Sequence, residues 1–195
     1  AGRSEDALMR LHEVRGRSDD SAVAAARVRA AILLERERPA AAAAAAEAGL
    51  ARVADDMNAV DIAPLHASLA KAEWMNGRSD VALHHAWEAV ALDSSEETAL
   101  WLIREIEGEY SASAKHFRVI IHGRDDGFDA DGFWRKYDVV ADDEEEAMHF
   151  IRRVEPEHIR PTLRMDEALI LDATPDQPKG VYWCTGYAFY QEADE

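Results

Sequence analysis

The chain has 195 residues, of which 48% are hydrophobic and 31% charged, an ordinary balance for a folded protein and room for one or two domains. Its 39 acidic residues outnumber 22 basic ones for a net charge of −17, and the excess is spread along the chain: 12 basic against 20 acidic residues up to Ala114, 10 against 19 beyond it. Nucleic acids and anionic membranes are recognised by basic clusters that displace counterions, so neither is expected as a partner, whereas a basic protein or peptide would be steered in.

No run approaches the roughly 18 apolar residues that span a bilayer; the longest bland stretch, Ala40 to Ala46, is only alanine. The polar start, Ala1-Gly2-Arg3-Ser4-Glu5-Asp6, lacks the apolar centre of a secretory signal, which makes the cytosol the expected compartment. Cys184 is the sole cysteine, so neither a disulfide framework nor an all-cysteine zinc site forms within one chain.

Helical periodicity predicts helices over about 4–14, 19–36, 39–57, 62–76, 79–92 and 95–109. Near-copies of one string punctuate them: Gly2-Arg3-Ser4-Glu5-Asp6-Ala7-Leu8, then Gly77-Arg78-Ser79-Asp80-Val81-Ala82-Leu83, with Glu37-Arg38-Pro39 and its alanines as a degenerate third. Each copy breaks one helix and opens the next. Ser4 and Ser79 read as N-caps, Pro39 as a first-turn proline, and the small residue that follows lets helices approach closely.

Residues Ala63 to Glu96 resemble a tetratricopeptide repeat, with Ala70, Gly77, Ala82 and Ala89 at that family's small positions and the ending Ala89-Val90-Ala91-Leu92-Asp93. Residues Val23 to Asp56 are a weaker copy that keeps Ala30 and Ala42, has Gly49 for the later alanine and has the polar Arg29 where an apolar residue is expected. Ser94 stands where the family favours proline, and His66, Glu73 and Ala86 replace its aromatics. The resemblance implies stacked helix pairs with a ligand groove lined by the first helix of each pair. Position by position, the groove residues are Arg27, Ala31 and Leu34 in the weaker copy, and Ala67, Lys71, Trp74 and Met75 in the stronger. A tryptophan beside a methionine suits a recognition hot spot, and a packing role between helices is the competing reading of Trp74. The family's carboxylate-clamp pattern is incomplete. Helix 95–109 would cap the stack, and helix 4–14, a second helix without its partner, suggests that the natural chain begins earlier.

Gly108 and Ser111-Ala112-Ser113-Ala114 mark a boundary between a repeat domain, 1–110, and a second module, 115–195. Here the period changes from 3.6 to 2. Phe117, Val119 and Ile121 share one face of a strand over 116–122; Phe133, Tyr137 and Val139 share a face of 133–140. A helix follows, N-capped by Asp142 or Asp143, with the stripe Ala147, Phe150, Ile151 and Val154 and a stop at Pro156. Strands over 163–172 and 181–190 complete a ββαββ order. On alternation, Trp183, Tyr187 and Phe189 would share one face of the last strand, with Tyr182 and Tyr190 on the other. The fold class expected is α+β, with one helix packed on a four-stranded antiparallel sheet.

Catalytic motifs are scarce. No phosphate loop, GxSxG, dinucleotide fingerprint or HExxH is present. His84 and His85 are adjacent and point about 100° apart on a helix, poor for joint ligation. The run Asp125 to Asp131 fits no EF-hand register, and reads as an acidic hairpin loop. Cys184 would need an imidazole base, and His116 and His122 are the candidates. The expected function is therefore a non-enzymatic adaptor without cofactor or metal that binds another protein or peptide, in its sharpest form a bacterial toxin-neutralising (immunity) protein. The competing class is a hydrolase-type or metal-dependent enzyme built on Cys184 or the Asp125–Asp131 loop.

Overall fold

A computed structural model describes residues 18–127, 129–172 and 176–191. The fold class is α+β, with helices α1 (Asp19–Glu35), α2 (Pro39–Leu50), α3 (Ala59–Met75), α4 (Ser79–Leu92) and α5 (Glu97–Glu107) preceding a mixed module. That module contains β1 (Lys115–Gly123), β2 (Gly132–Ala141), α6 (Glu144–Val154), β3 (Arg164–Asp172), β4 (Gly180–Cys184) and β5 (Ala188–Tyr190). The expected helix 4–14 and the Ser4 cap lie outside the described residues. Two compact units divide the chain at Leu102/Ile103, within α5.

In the first unit α1 packs on α2, α2 on α3 and α3 on α4, and α1 also packs on α3. Ser18 caps α1 through Oγ, which accepts from Ser21 N at 3.2 Å, and Asp19 and Asp20 complement the helix dipole. The turns after α1 and α3 close in the same way. Arg38 N donates to Leu33 O and Arg78 N to Glu73 O, both at 2.9 Å, around residues in the left-handed region, Glu37 (φ 53°) and Gly77 (φ 77°). Arg78 is the half-helical cap residue, so Ser79 is the first residue of α4 and makes no side-chain cap bond, contrary to expectation. The Arg78 guanidinium instead reaches back to the buried Glu73 carboxylate, Nη2 to Oε1 at 2.7 Å.

Alanine makes this core. Ala30, Ala42, Ala46, Ala70, Ala72, Ala82, Ala86 and Ala89 are fully buried, so the apparently bland run is an interface where helix backbones come close. Gly49 marks the tightest approach: an added Cβ would meet Ala26 Cβ at 2.7 Å and both Leu65 methyls at 3.0 Å. Two helix ends differ from expectation. α2 stops at Leu50, just after Gly49, rather than at 57. α3 starts at Ala59 rather than 62, because Asn58 Oδ1 accepts from Val60 N at 3.1 Å and caps the helix ahead of Pro64.

The second unit carries an antiparallel sheet of order β3-β1-β2-β4, with β5 also on β2. The expected fourth strand is thus two, because the chain leaves the ladder between Cys184 and Ala188. α6 lies over β2, β4 and β1. Asp143 Oδ1 accepts from Glu146 N (2.9 Å) while Glu146 Oε2 accepts from Asp142 N (2.7 Å), a capping box. Its buried stripe is Ala147, Met148, Ile151 and Val154; Phe150, expected there, is only half-buried. Phe117, Val119, Ile121, Phe133, Tyr137 and Val139 form the buried sheet face. Trp183 lies opposite Asp138 on the other face, while Tyr187, expected beside it, packs edge-on against Phe133 at 4.9 Å. A bulge in β4 and the break after Cys184 undo simple alternation.

Candidate binding groove

On α1, Arg27, Ala31 and Leu34 fall at i, i+4 and i+7 and therefore share one face; on α3, Pro64, Ala67, Ser68 and Lys71 do the same. Since α1 packs on α3, these faces meet along one concavity of about 300 Å³, closed at its far side by Glu35, Glu96 and Thr98. Ala31 is exposed and Ala67 buried, so the floor is made of small side chains. Arg27, Ala31, Leu34 and Lys71 line this space together. Trp74 and Met75 do not: Trp74 is half-buried and packs edge-on against Trp101 at 5.0 Å, and Met75 is exposed at the end of α3. The Lys71 ammonium lies 5.8 Å from the Trp101 ring centroid, so this aromatic pair braces one wall of the groove.

Charge is graded along the groove. A second concavity of about 390 Å³ adjoins the first through Arg27 and is lined by Asp20, Asp56 and Asp61 beside Val23 and Met57. Arg27 Nη1 stands 3.4 Å from Asp61 Oδ1, with both side chains well exposed, so this contact is weak and either partner can be recruited by a ligand. At the other end burial raises the Glu96 carboxyl, helped by the nearby Asp93, against the lowering effect of the Thr98 N–H that it accepts at 3.2 Å. The surface thus runs from an acidic end, over Arg27 and an apolar floor, to Lys71 and a half-buried carboxylate. The tetratricopeptide resemblance pointed to Arg27, Ala31, Leu34, Ala67 and Lys71, and not to Pro64 and Ser68. Glu35, Glu96 and Thr98 were missed, because only the packing of α5 brings the last two to the groove.

His66 of α3 and His85 of α4 face one another, Nδ1 to Nδ1 at 3.4 Å, with the exposed His84 ring 5.1 Å from that of His85. Burial lowers both His66 and His85, and each is lowered further by a neighbouring imidazole, His85 for the first and His84 for the second. One proton shared between two nitrogens suits that geometry.

The second unit holds a buried polar network. Arg135 and Glu155 are 3% and 1% exposed and are joined by a hydrogen-bonded ion pair between Nη1 and Oε1. Tyr137 OH donates to the same oxygen, Tyr187 OH donates to Oε2 at 2.6 Å, and Arg135 Nε donates to Thr185 O at 2.7 Å. Burial alone would lower the Arg135 guanidinium; the surrounding Tyr137, Glu155 and Cys184 outweigh it and raise the group. Burial raises Tyr137, with Glu155 second. Cys184 is buried here, and its Sγ accepts from Arg135 Nη2 at 3.0 Å. The candidate bases stand elsewhere in the sheet: His116 against the Tyr182 ring (6.1 Å), His122 against Trp134 (5.3 Å) and 3.8 Å from Asp166. In the acidic loop, Asp125 Oδ1 accepts from Gly127 N at 2.9 Å and lies 3.4 Å from His158. Among the described residues no three His, Cys, Asp or Glu side chains are placed to hold a metal ion.

Compared with known proteins, the chain matches no family model, no curated protein and no solved structure.

Proposed function

We propose that this chain is a non-enzymatic protein-binding protein whose α1–α3 groove takes an extended or helical segment of another protein. The observation that carries the reading is the convergence of Arg27, Ala31, Leu34 and Lys71, together with Ala67, on one concavity. These are the positions at which a tetratricopeptide-type stack would present its ligand surface, and that repeat architecture is part of the proposal. Small floor residues leave room for a ligand side chain, and Arg27, Lys71, Glu35 and Glu96 supply orienting polar groups. The acidic end at Asp20, Asp56 and Asp61 and the net charge of −17 favour a partner with basic residues.

The test is Ala31→Trp, which fills the groove from an exposed position without entering the core. Quantitative pull-down beside the wild type is expected to lose a partner by about tenfold or more, as blocking a central contact does, while the melting temperature is unchanged. Retention of every partner at wild-type level would remove the groove from the account.

A further inference from the structure

His84 and His85 are neighbours on α4, and that spacing alone makes a poor chelate. The fold gives His85 a different partner. It faces His66 of α3, Nδ1 to Nδ1 at 3.4 Å, with ring centroids 5.6 Å apart and the ring planes inclined at 41°. Both rings are half-buried between two helices that pack on one another. Imidazoles at such a contact cost solvation that an apolar pair would not. The carboxylates whose charge reaches them are Glu88 for both rings, joined for His85 by Glu73 and Glu47. Glu88 is exposed on α4, three residues beyond His85 and so on the same side of the helix.

We propose that His66 and His85 form a two-imidazole site for a borderline divalent cation, with Zn²⁺ as its representative, that ties α3 to α4. Zinc bonds an imidazole nitrogen at about 2.0–2.1 Å, and two such bonds on a tetrahedron set their nitrogens about 3.4 Å apart. The fold already holds the two Nδ1 atoms at that separation. The rings meet nearly head-on, so each tilts to aim its lone pair at a common point beside the line between them, a movement open to half-exposed side chains. Imidazole suits zinc, copper and nickel, whereas magnesium and calcium prefer oxygen. Without the ion the two nitrogens share one proton. On binding, that proton passes through solvent to Nε2 of the same ring, so both Nδ1 atoms become ligands and both rings stay neutral. Among the described residues no third side chain is in place, so water completes the coordination shell, and Glu88 offsets part of the ion's charge. The site lies off the groove, since His66 precedes Ala67 and successive helix residues point about 100° apart.

A hydrogen bond alone also gives this separation, and the two readings part on whether an ion displaces the shared proton. Calorimetric titration of Zn²⁺ into the full chain at neutral pH, after EDTA treatment and removal of the chelator, tests the proposal. Saturable binding in the micromolar range is expected. His66→Gln and His85→Gln should each weaken it about tenfold or more, since even an outer-shell partner is worth roughly 10–100-fold. His84→Gln should leave it unchanged. The first two variants touch a helix contact, so the wild type is read as well. In its long-range proton–nitrogen spectrum the ion should move the Nδ1 signals of His66 and His85 and leave both rings as the Nε2–H tautomer. No binding up to about 1 mM ion, wild-type affinity in His66→Gln or His85→Gln, loss of binding in His84→Gln, or two rings that do not respond to the ion would overturn it.

Discussion

Glu37 and Gly77 occupy the same position in two turns of one design, forty residues apart. Both sit in the left-handed region, and the backbone closures around them coincide. Glycine takes that conformation freely, whereas a side chain there costs about 1–2 kcal/mol. Glu37→Gly is therefore expected to stabilise the protein by about 1 kcal/mol, raising the thermal midpoint by about 2–4 °C for a chain of this size. Gly77→Ala should cost about as much: nothing lies within 4 Å of its added Cβ, so the backbone alone sets the penalty. Differential scanning calorimetry of both variants checks the pair, and equal midpoints would contradict it. In the second unit, Glu155→Ala would strand the Arg135 guanidinium and two tyrosine hydroxyls in the core. The expected loss is about 3–5 kcal/mol, as for removal of one partner of a buried ion pair. Urea denaturation reads it directly, and a loss under 1 kcal/mol would mean that water enters the site.

At the scale of elements, the α3–α4 hairpin carries a pH dependence. His66 and His85 are lowered from 6.5 by burial first and by neighbouring imidazoles second, and Glu88 opposes the shift for both, joined for His85 by Glu73 and Glu47. A lowered histidine binds fewer protons folded than unfolded, so stability rises with pH through the window below 6.5 and falls on acidification. The thermal midpoint should drop between pH 7.5 and 5.5, and His66→Gln should flatten that drop; a variant with the wild-type slope would exclude this pair as its source. These elements also show what periodicity reveals. α1, α4, α6 and β1 to β3 were legible to within a residue or two, because each carries an apolar period and a polar or glycine end. The rest depended on distant neighbours. α2 ends just after a glycine whose significance is its contact with Ala26 and Leu65, and α3 begins three residues before the expected start because Asn58 caps it ahead of Pro64. The last strand is two, since a bulge and an exit at Thr185 to Tyr187 let Tyr187 reach Glu155. Alternation sets Arg135 on the face of Phe133, Tyr137 and Val139, but the partner that lets it be buried there, Glu155, lies beyond the end of α6, and no local pattern pairs the two.

At the scale of the molecule, the two units differ: a graded groove on the first and a buried polar network in the second. Arg27, Ala31, Leu34, Ala67 and Lys71 came from the tetratricopeptide resemblance, position by position; helical spacing alone says which side chains share a face, not which face lines a concavity. Trp74 was expected there as well, yet it packs on Trp101, a contact between α3 and α5 that no local pattern encodes. Site-specific photocrosslinking tests the groove as a binding surface most directly. A photoreactive residue is placed at Ala31, inside the groove, and a control at Val81, exposed on α4. Crosslinking to a protein partner from position 31, competed away by that partner's purified segment and absent from position 81, is the predicted result. Equal crosslinking from both positions, or from position 81 alone, would contradict the groove as the binding surface.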